Sequence, residues 1–308
     1  MDTMETGLKK NSKNGSKTSS FGTPSRINHD SSKFYNTKLY SKLKVSKETD
    51  NSENPIPNCF INTIIRGSSE KMSELPDNSL HLMITSPPYN VTKDYDKDLS
   101  LEEYLLFLKN VFAETYRVLI NGGRVCINIA NLGRKPYIPL SDYISNIMIE
   151  IGFYMRGEII WNKGAGAGIS MAWGSWKSAS NPVLRDTHEY ILIFSKGDFG
   201  RKAKNKINTI TKEQFMEWTK SVWTFNPESA KKIGHPAPFP VELPYRLIQL
   251  YTFENDIILD PFMGSATTAL AALKSSRKYI GYETDDNYIK LSDKRLKQSL
   301  IKQKPLTL

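Results

Sequence analysis

Apolar and polar positions follow two periods along most of this chain. Leu80, Leu82, Met83 and Ile84, with His81 among them, form a short apolar run between Asn78 and the pair Pro87-Pro88, the pattern of a buried strand. Leu105, Leu108, Val111, Phe112 and Tyr116 recur at helical spacing over residues 101–119, which stop at Asn121-Gly122-Gly123. The same criteria predict strands over 59–67, 124–129, 158–161, 190–194, 257–259 and 279–282. Helices are predicted over 68–75, 140–151, 240–253, about 265–273, and from just after Glu283 through 300. Strand and helix alternate, so an α/β fold with a doubly wound, mainly parallel sheet is expected.

Several stretches break the alternation. Residues 1–50 are rich in Ser, Asn and Lys and predict a basic, partly disordered N-terminal arm, with a short helix near 34–40 where aromatics interleave with lysines. Residues 90–100 are polar and turn-rich, as suits a loop over a site. Residues 163–168 alternate Gly with Ala but lack the Gly-Lys-Ser/Thr ending of a phosphate cradle, and read as flexible loop. Residues 197–232 are basic, with Phe215, Trp218 and Trp223 interleaved. That pattern fits a nucleic-acid surface or a small core of its own. The expected organisation is therefore an arm (1–50), a first half of one α/β domain (51–196), an inserted recognition region (197–234) and a second half (235–308).

With 308 residues, 39% apolar and 24% charged, the chain describes a soluble globular protein. It has no apolar run long enough for a membrane span and no apolar signal core, so a cytoplasmic location is expected. Cys59 and Cys126 fit neither a disulfide framework nor a zinc spacing and are expected in or beside strands; no metal is expected. A formal charge of +10 makes a polyanionic partner plausible.

The chemistry-bearing stretch is Thr85-Ser86-Pro87-Pro88-Tyr89-Asn90. Two prolines cannot extend a ladder, and each holds its predecessor in an extended conformation, so the carbonyls of Ser86 and Pro87 lack regular partners. A planar base with an exocyclic amine needs such acceptors and a ring to stack on. The other reading is a Pro-Pro turn with Tyr89 packed locally. A second stretch, Asp260-Pro261-Phe262-Met263-Gly264-Ser265-Ala266-Thr267, turns from a strand into a helix, and Glu283 stands at the tip of the next strand. A nucleoside cofactor with its ribose on the acid fits this arrangement.

Together these motifs resemble the amino-group DNA methyltransferases that use S-adenosylmethionine, in the permuted class where the catalytic motif precedes the cofactor motif. The Ser-Pro-Pro-Tyr form is most similar to the N4-cytosine branch, and the resemblance covers roughly residues 58–296. It implies a Rossmann-like methyltransferase fold. It also implies catalytic roles for Ser86, Pro87, Pro88 and Tyr89, with cofactor contacts from Ser68, Asp260, Pro261, Phe262, Gly264, Ser265, Thr267 and Glu283. The segment His235 to Pro240, with Phe239, resembles the one that packs over the cofactor. Trp176, Lys177 and Arg185 lie in a stretch similar to this branch and are expected at DNA, as are Lys202, Lys204 and Lys206 of the basic insert. Two positions depart from the family pattern: Ser68 stands where an acid usually follows the glycine, and Ala266 replaces the second glycine of the cofactor turn. The implied partner is double-stranded DNA, with a cognate restriction endonuclease acting on the same site and the enzyme a monomer or homodimer. The same chemistry on the N6 amine of adenine is the nearest alternative, and a DNA-binding protein that has lost catalysis is a more remote one.

Overall fold

The computed structural model describes residues 36–40, 50–89, 99–133, 135–164, 173–228, 233 and 239–303. Residues 1–48 and 49–308 are two units. Of the first, the description covers one short 3-10 turn, Lys38–Tyr40. The second holds the sheet.

Its elements in chain order are β1 (Thr63–Arg66), β2 (Leu80–Thr85), α1 (Leu101–Val118), β3 (Leu119–Ile129), α2 (Leu140–Ile151), β4 (Phe153–Asn162), β5 (His188–Lys196), α3 (Lys212–Trp218), β6 (Val222–Thr224), α4 (Glu242–Tyr251), β7 (Ile257–Asp260), α5 (Thr267–Lys274), β8 (Lys278–Glu283) and α6 (Asp286–Gln303). The strands lie in the order β1-β8-β7-β2-β3-β5-β4-β6. Pairing is parallel except at β5, which runs antiparallel to both β3 and β4. The expected doubly wound α/β sheet is therefore present, with one strand reversed. From β2 the chain winds outward to β3, and from β7 it winds the other way to β8. The switch point between β2 and β7 opens a crevice at their carboxyl ends.

Alternation along each strand sorts the core into two layers. Met83, Val125, Ile127 and Ile129 meet Leu108, Val111 and Phe112 of α1 and Ile144 and Met148 of α2. Leu82, Ile84, Cys126 and Ile258 meet Leu247 and Ile248 of α4 and Ala269 and Ala272 of α5. Each large side chain enclosed this way contributes about 1.5–3 kcal/mol. Helix α1 starts where the sequence places it because Ser100 and Glu103 close a capping box, with Glu103 N–H donating to Ser100 Oγ at 3.2 Å and Ser100 N–H to Glu103 Oε2 at 2.8 Å.

Two expected elements are replaced. The strand expected over 59–67 is shortened to β1. Asn58–Phe60 form a 3-10 turn, with Cys59 exposed, and Asn62 turns left-handed (φ 59°) to exchange bonds with the backbone of Tyr279. The helix expected over 68–75 does not form. Met72 N–H donates instead to Glu114, and Arg117 takes the carbonyls of Met72 and Leu75, so side chains of α1 hold backbone groups a helix would have paired internally.

Residues 197–211 form a strap across the amino ends of the strands. Asp198 meets Asn121, Phe199 O accepts from Arg124, and Arg277 donates to Thr209. Arg201 grips Asp256 with two bonds, 2.5 and 3.1 Å, and His81 Nε2 lies 3.4 Å from the same carboxylate. Of the aromatics that follow, Trp218 and Trp223 join the core layer of α4 and α5 with Phe225 packed against it, and the three surround the Arg246 guanidinium, while Phe215 is exposed; β6 joins the sheet beside β4. Asp256 is 2% exposed. Removing its guanidinium partner leaves a buried charge, so Arg201→Met is expected to cost about 3–5 kcal/mol in urea denaturation. A loss below about 1 kcal/mol would show that this pair does not anchor the strap.

Candidate active site

At the switch point the tips of β8, β7 and β2 stand side by side, ending in Glu283, Asp260 and Thr85. Asp260 is 1% exposed. Its carboxylate accepts from Thr85 Oγ1 at 2.7 Å, Thr268 Oγ1 at 2.6 Å and Phe262 N–H at 3.1 Å. Burial pushes the carboxyl up, to about 6, while the three donors oppose that rise and the charge of Glu283 adds to it. The Asp260 side chain is thus a buried tie between the strand carrying the Ser-Pro-Pro-Tyr loop and the helix after the second motif. It lies behind the cavity and is not among the residues that line it.

The cavity in front of these tips has a volume of about 440 Å³. Its walls are the residues after β1 (Gly67 to Glu70), the loop Ser86 to Tyr89, the exposed side of α1 with Phe107 and Asn110, the turn Pro261 to Gly264, and the tip of β8. Phe107 and Phe262 supply an apolar wall, their ring centroids 5.7 Å apart. Ser69 Oγ donates to Pro261 O at 2.9 Å and joins the first wall to the turn. Among the described residues Glu70, Glu103 and Glu283 are the charged lining groups, and none of the lining is basic. These three acids differ in what already holds them. Glu283 accepts from Gly264, Thr284 and Asp285 N–H, and Glu103 closes the capping box. Glu70 is held by two neutral side-chain donors, Ser68 Oγ and Asn110 Nδ2, each at 3.2 Å.

On the loop, Ser86 Oγ lies 3.3 Å from the Tyr89 hydroxyl. Tyr104 donates to Pro88 O at 2.6 Å, while among the described residues no donor reaches the carbonyl of Pro87. Burial holds the Tyr89 phenol well above its ordinary pKa, and the nearby Glu189 charge adds to the shift. Tyr89 is therefore packed on its own loop as a neutral phenol. Its ring is partly exposed and lines the cavity.

Of the residues expected at the cofactor, Ser68, Pro261, Phe262, Gly264 and Glu283 line the cavity together with Ser86, Pro87, Pro88 and Tyr89. Ser265 and Thr267 are buried behind it, where Arg295 bonds to Ser265 O and Thr267 Oγ1. Phe239 and Pro240 are outside the lining, with Phe239 against the α4–α5 layer, and His235 lies outside the described residues. The sequence reading missed Glu70, Glu103, Phe107 and Asn110. Glu103, Phe107 and Asn110 share helical spacing on α1, a signal available in the sequence beside the core stripe. At Ala266 the backbone is left-handed (φ 61°, ψ 31°), which explains the usual glycine there; alanine accepts the conformation at a cost of about 1 kcal/mol, and α5 still starts at Thr267.

The expected DNA contacts separate onto two poles. β4 ends and β5 begins at the same end of the sheet as Thr85, and the connection between them carries a short hairpin in which Gly174 bridges Pro182. A Cβ on Gly174 would lie 2.1 Å from Asn181 O, so glycine is required there. Trp173 packs edge-on against Trp176, Arg185 stacks over Trp173 at 4.2 Å and Lys177 lies over Trp176 at 5.6 Å, with Trp176 63% exposed. Lys202, Lys204 and Lys206 belong to the strap at the opposite pole, where Lys206 comes within 4.0 Å of Glu53. A strand's length separates them from the cavity.

Removing the hydroxyl that Thr85 gives Asp260 raises that carboxyl further and penalises its ionised form. Thr85→Val is expected to lose about 1.5–3 kcal/mol of stability at pH 7.5 and less at pH 5, where the acid is largely protonated. Thermal denaturation at the two pH values checks the sign. An equal loss at both would mean that the tie does not depend on the charge of Asp260.

Comparison with known proteins follows this geometry. The N6_N4_Mtase model, described as DNA methylase, matches residues 80–294. The Type II methyltransferase M.MjaI of Methanocaldococcus jannaschii is 34% identical over 267 residues, covering 72% of this chain and 86% of the relative. M.MthZI of Methanothermobacter thermautotrophicus is 32% identical over 269 residues, covering 76% of each. Among solved structures, TTHA0409 of Thermus thermophilus, complexed with S-adenosyl-L-methionine, aligns with a TM-score of 0.62 at 27% identity, over 76% of this chain and 92% of that one. The cytosine-N4-specific PvuII DNA methyltransferase aligns with the same TM-score at 22% identity, over 80% and 90%, a likeness of fold. The chain belongs to the N6/N4 family of DNA methylases, which take their methyl group from S-adenosyl-L-methionine.

Proposed function

We propose that this enzyme methylates the exocyclic N4 amine of cytosine in a short duplex sequence, as the modification partner of a restriction endonuclease recognising the same site. The Ser-Pro-Pro-Tyr form of the motif, with Ser86 first and at the rim of the cofactor cavity, is the observation that carries the choice of base. The Type II names of the similar methyltransferases support the pairing with an endonuclease.

When bound, S-adenosylmethionine supplies a methyl group on a sulfonium, whose S–C bond breaks as the N–C bond forms. The cavity suits that group: its apolar wall of Phe107 and Phe262 faces an anionic lining, and Glu283 stands where the ribose acid is expected. A base amine is a weak nucleophile because its lone pair is delocalised into the ring. The Ser86 hydroxyl and the Pro87 carbonyl accept its two hydrogens, which lets the nitrogen pyramidalise toward the cavity; the nitrogen sheds one proton after transfer. No covalent enzyme intermediate is required. The hairpin of Trp176, Lys177 and Arg185 faces the duplex from the same pole and grips its backbone.

Incubation of the purified protein with unmethylated genomic DNA and S-adenosylmethionine, followed by nucleoside mass spectrometry, tests the reading. N4-methylcytosine is expected, and Ser86→Ala should abolish at least about nine-tenths of it while cofactor binding persists. N6-methyladenine would overturn the assignment of the base. Glu70, the acid held by neutral donors, is assigned to the ammonium end of the cofactor, in place of the acid missing at Ser68. In calorimetry Glu70→Gln is expected to weaken S-adenosylmethionine about tenfold and to leave methylthioadenosine, which lacks the ammonium, unchanged. Equal weakening of both would place Glu70 elsewhere in the cavity.

A further inference from the structure

A second polar group stands across the Ser-Pro-Pro-Tyr loop from the cofactor cavity, at the tips of β3, β5 and β4. Asn128, 2% exposed, donates through Nδ2 to Glu189 Oε2 at 2.5 Å, and Lys163 Nζ holds the other oxygen of Glu189 at 2.5 Å. The Asn128 side-chain oxygen is buried and has no hydrogen-bond partner among the described residues.

Chemistry fixes which way this amide faces. Glu189, paired with Lys163, only accepts, so the Asn128 nitrogen must be the atom turned toward it. Glu189 lies on β5, on one side of β3, and the amide oxygen is turned away from it. The ladder pairs Thr85 of β2 with Ile127 of β3. Ser86 follows the last paired residue of β2, and Asn128 follows its partner Ile127 on β3. The Tyr89 hydroxyl, bonded to Ser86, covers this place. An acceptor without a partner among the described residues thus stands at the tip of β3, beside the strand that carries the reactive loop and on the side away from the cofactor cavity.

A buried acceptor is unfavourable unless something brings it a donor. We propose that Asn128 is a base-holding residue: its carbonyl oxygen shares with Ser86 Oγ, in a three-centre bond, the amine hydrogen on that side, the other hydrogen going to the Pro87 carbonyl, with Glu189 and Lys163 fixing the orientation of its amide. Glu189 is a positioning residue in this arrangement, since it acts through Asn128. The subsite takes an amino-bearing nucleobase turned out of the duplex, and a keto base such as thymine or uracil would set two acceptors against each other.

The inference rests on the proposed base methylation, and the two can fail separately. If the wild-type protein methylates no duplex, the functional reading fails, and the inference with it. With a methylated site mapped, the full-length Asn128→Leu and Asn128→Ala variants are compared with wild type in single-turnover methyl transfer and in S-adenosylmethionine calorimetry. Their affinity for the same duplex with an abasic position at the target is measured alongside. Methyl transfer is expected to fall at least tenfold in both variants, with cofactor affinity and abasic-duplex affinity within twofold of wild type. Transfer within twofold of wild type in either folded variant would overturn the inference. So would a parallel loss of abasic-duplex affinity, since no base is present there to hold. Glu189→Gln, which lets the Asn128 amide turn over, is expected to lower transfer while leaving the abasic affinity unchanged; unaltered transfer would remove Glu189 from the arrangement.

Discussion

The bond from Thr85 to Asp260 joins two parts of the sequence that a nucleotide-binding sheet must bring together. β2 and β7 are neighbours at the switch point, yet their ladder alone does not set how their loops leave the sheet. A carboxylate enclosed between them, accepting from Thr85, from Thr268 at the head of α5 and from Phe262 N–H, fixes both exits at once. Because a buried charge tolerates the loss of a donor poorly, the tie resists small displacements of either loop. The relative position of reactive loop and cofactor turn is thereby set by the interior of the protein.

Much of this was legible in the sequence. β2, α1 and α2 follow their periodicity closely because each buries one regular stripe. The failures have one cause in common, a partner distant in sequence. Residues 68–75 have helical composition, but Glu114 and Arg117 hold their backbone groups in an irregular path. Asn62 turns left-handed because Tyr279 is beside it. The reversed direction of β5 leaves no mark on its apolar alternation. Charge shows the same limit: Lys202, Lys204 and Lys206 are conspicuous in the sequence, whereas contacts distant in sequence, such as the grip of Arg201 on Asp256, show at which end of the sheet they lie. The motif residues were recognisable by type, but Ser265, Thr267 and Asp260 act from behind the cavity wall, which no motif reveals.

Charge is distributed by function across the molecule. The chain is strongly basic, yet the described cavity carries three carboxylates and no lining cation. The hairpin at the same pole carries Lys177 and Arg185, so acidic and basic surfaces lie on either side of the Pro-Pro loop, whose two successive prolines leave its backbone little freedom.

The contact between Ser86 and Tyr89 bears on how a base is selected. With the loop's hydroxyl already engaged by the chain itself, arrival of a base is an exchange of one hydrogen bond for another of similar strength. Little net affinity is then available from the amine at Ser86, and cytosine and adenine offer that amine alike. This one contact is a poor judge of which base enters. Selection falls to the shape of the enclosing walls and to whatever reads the neighbouring base pairs, so the chemistry of the loop can stay constant while the recognised sequence changes.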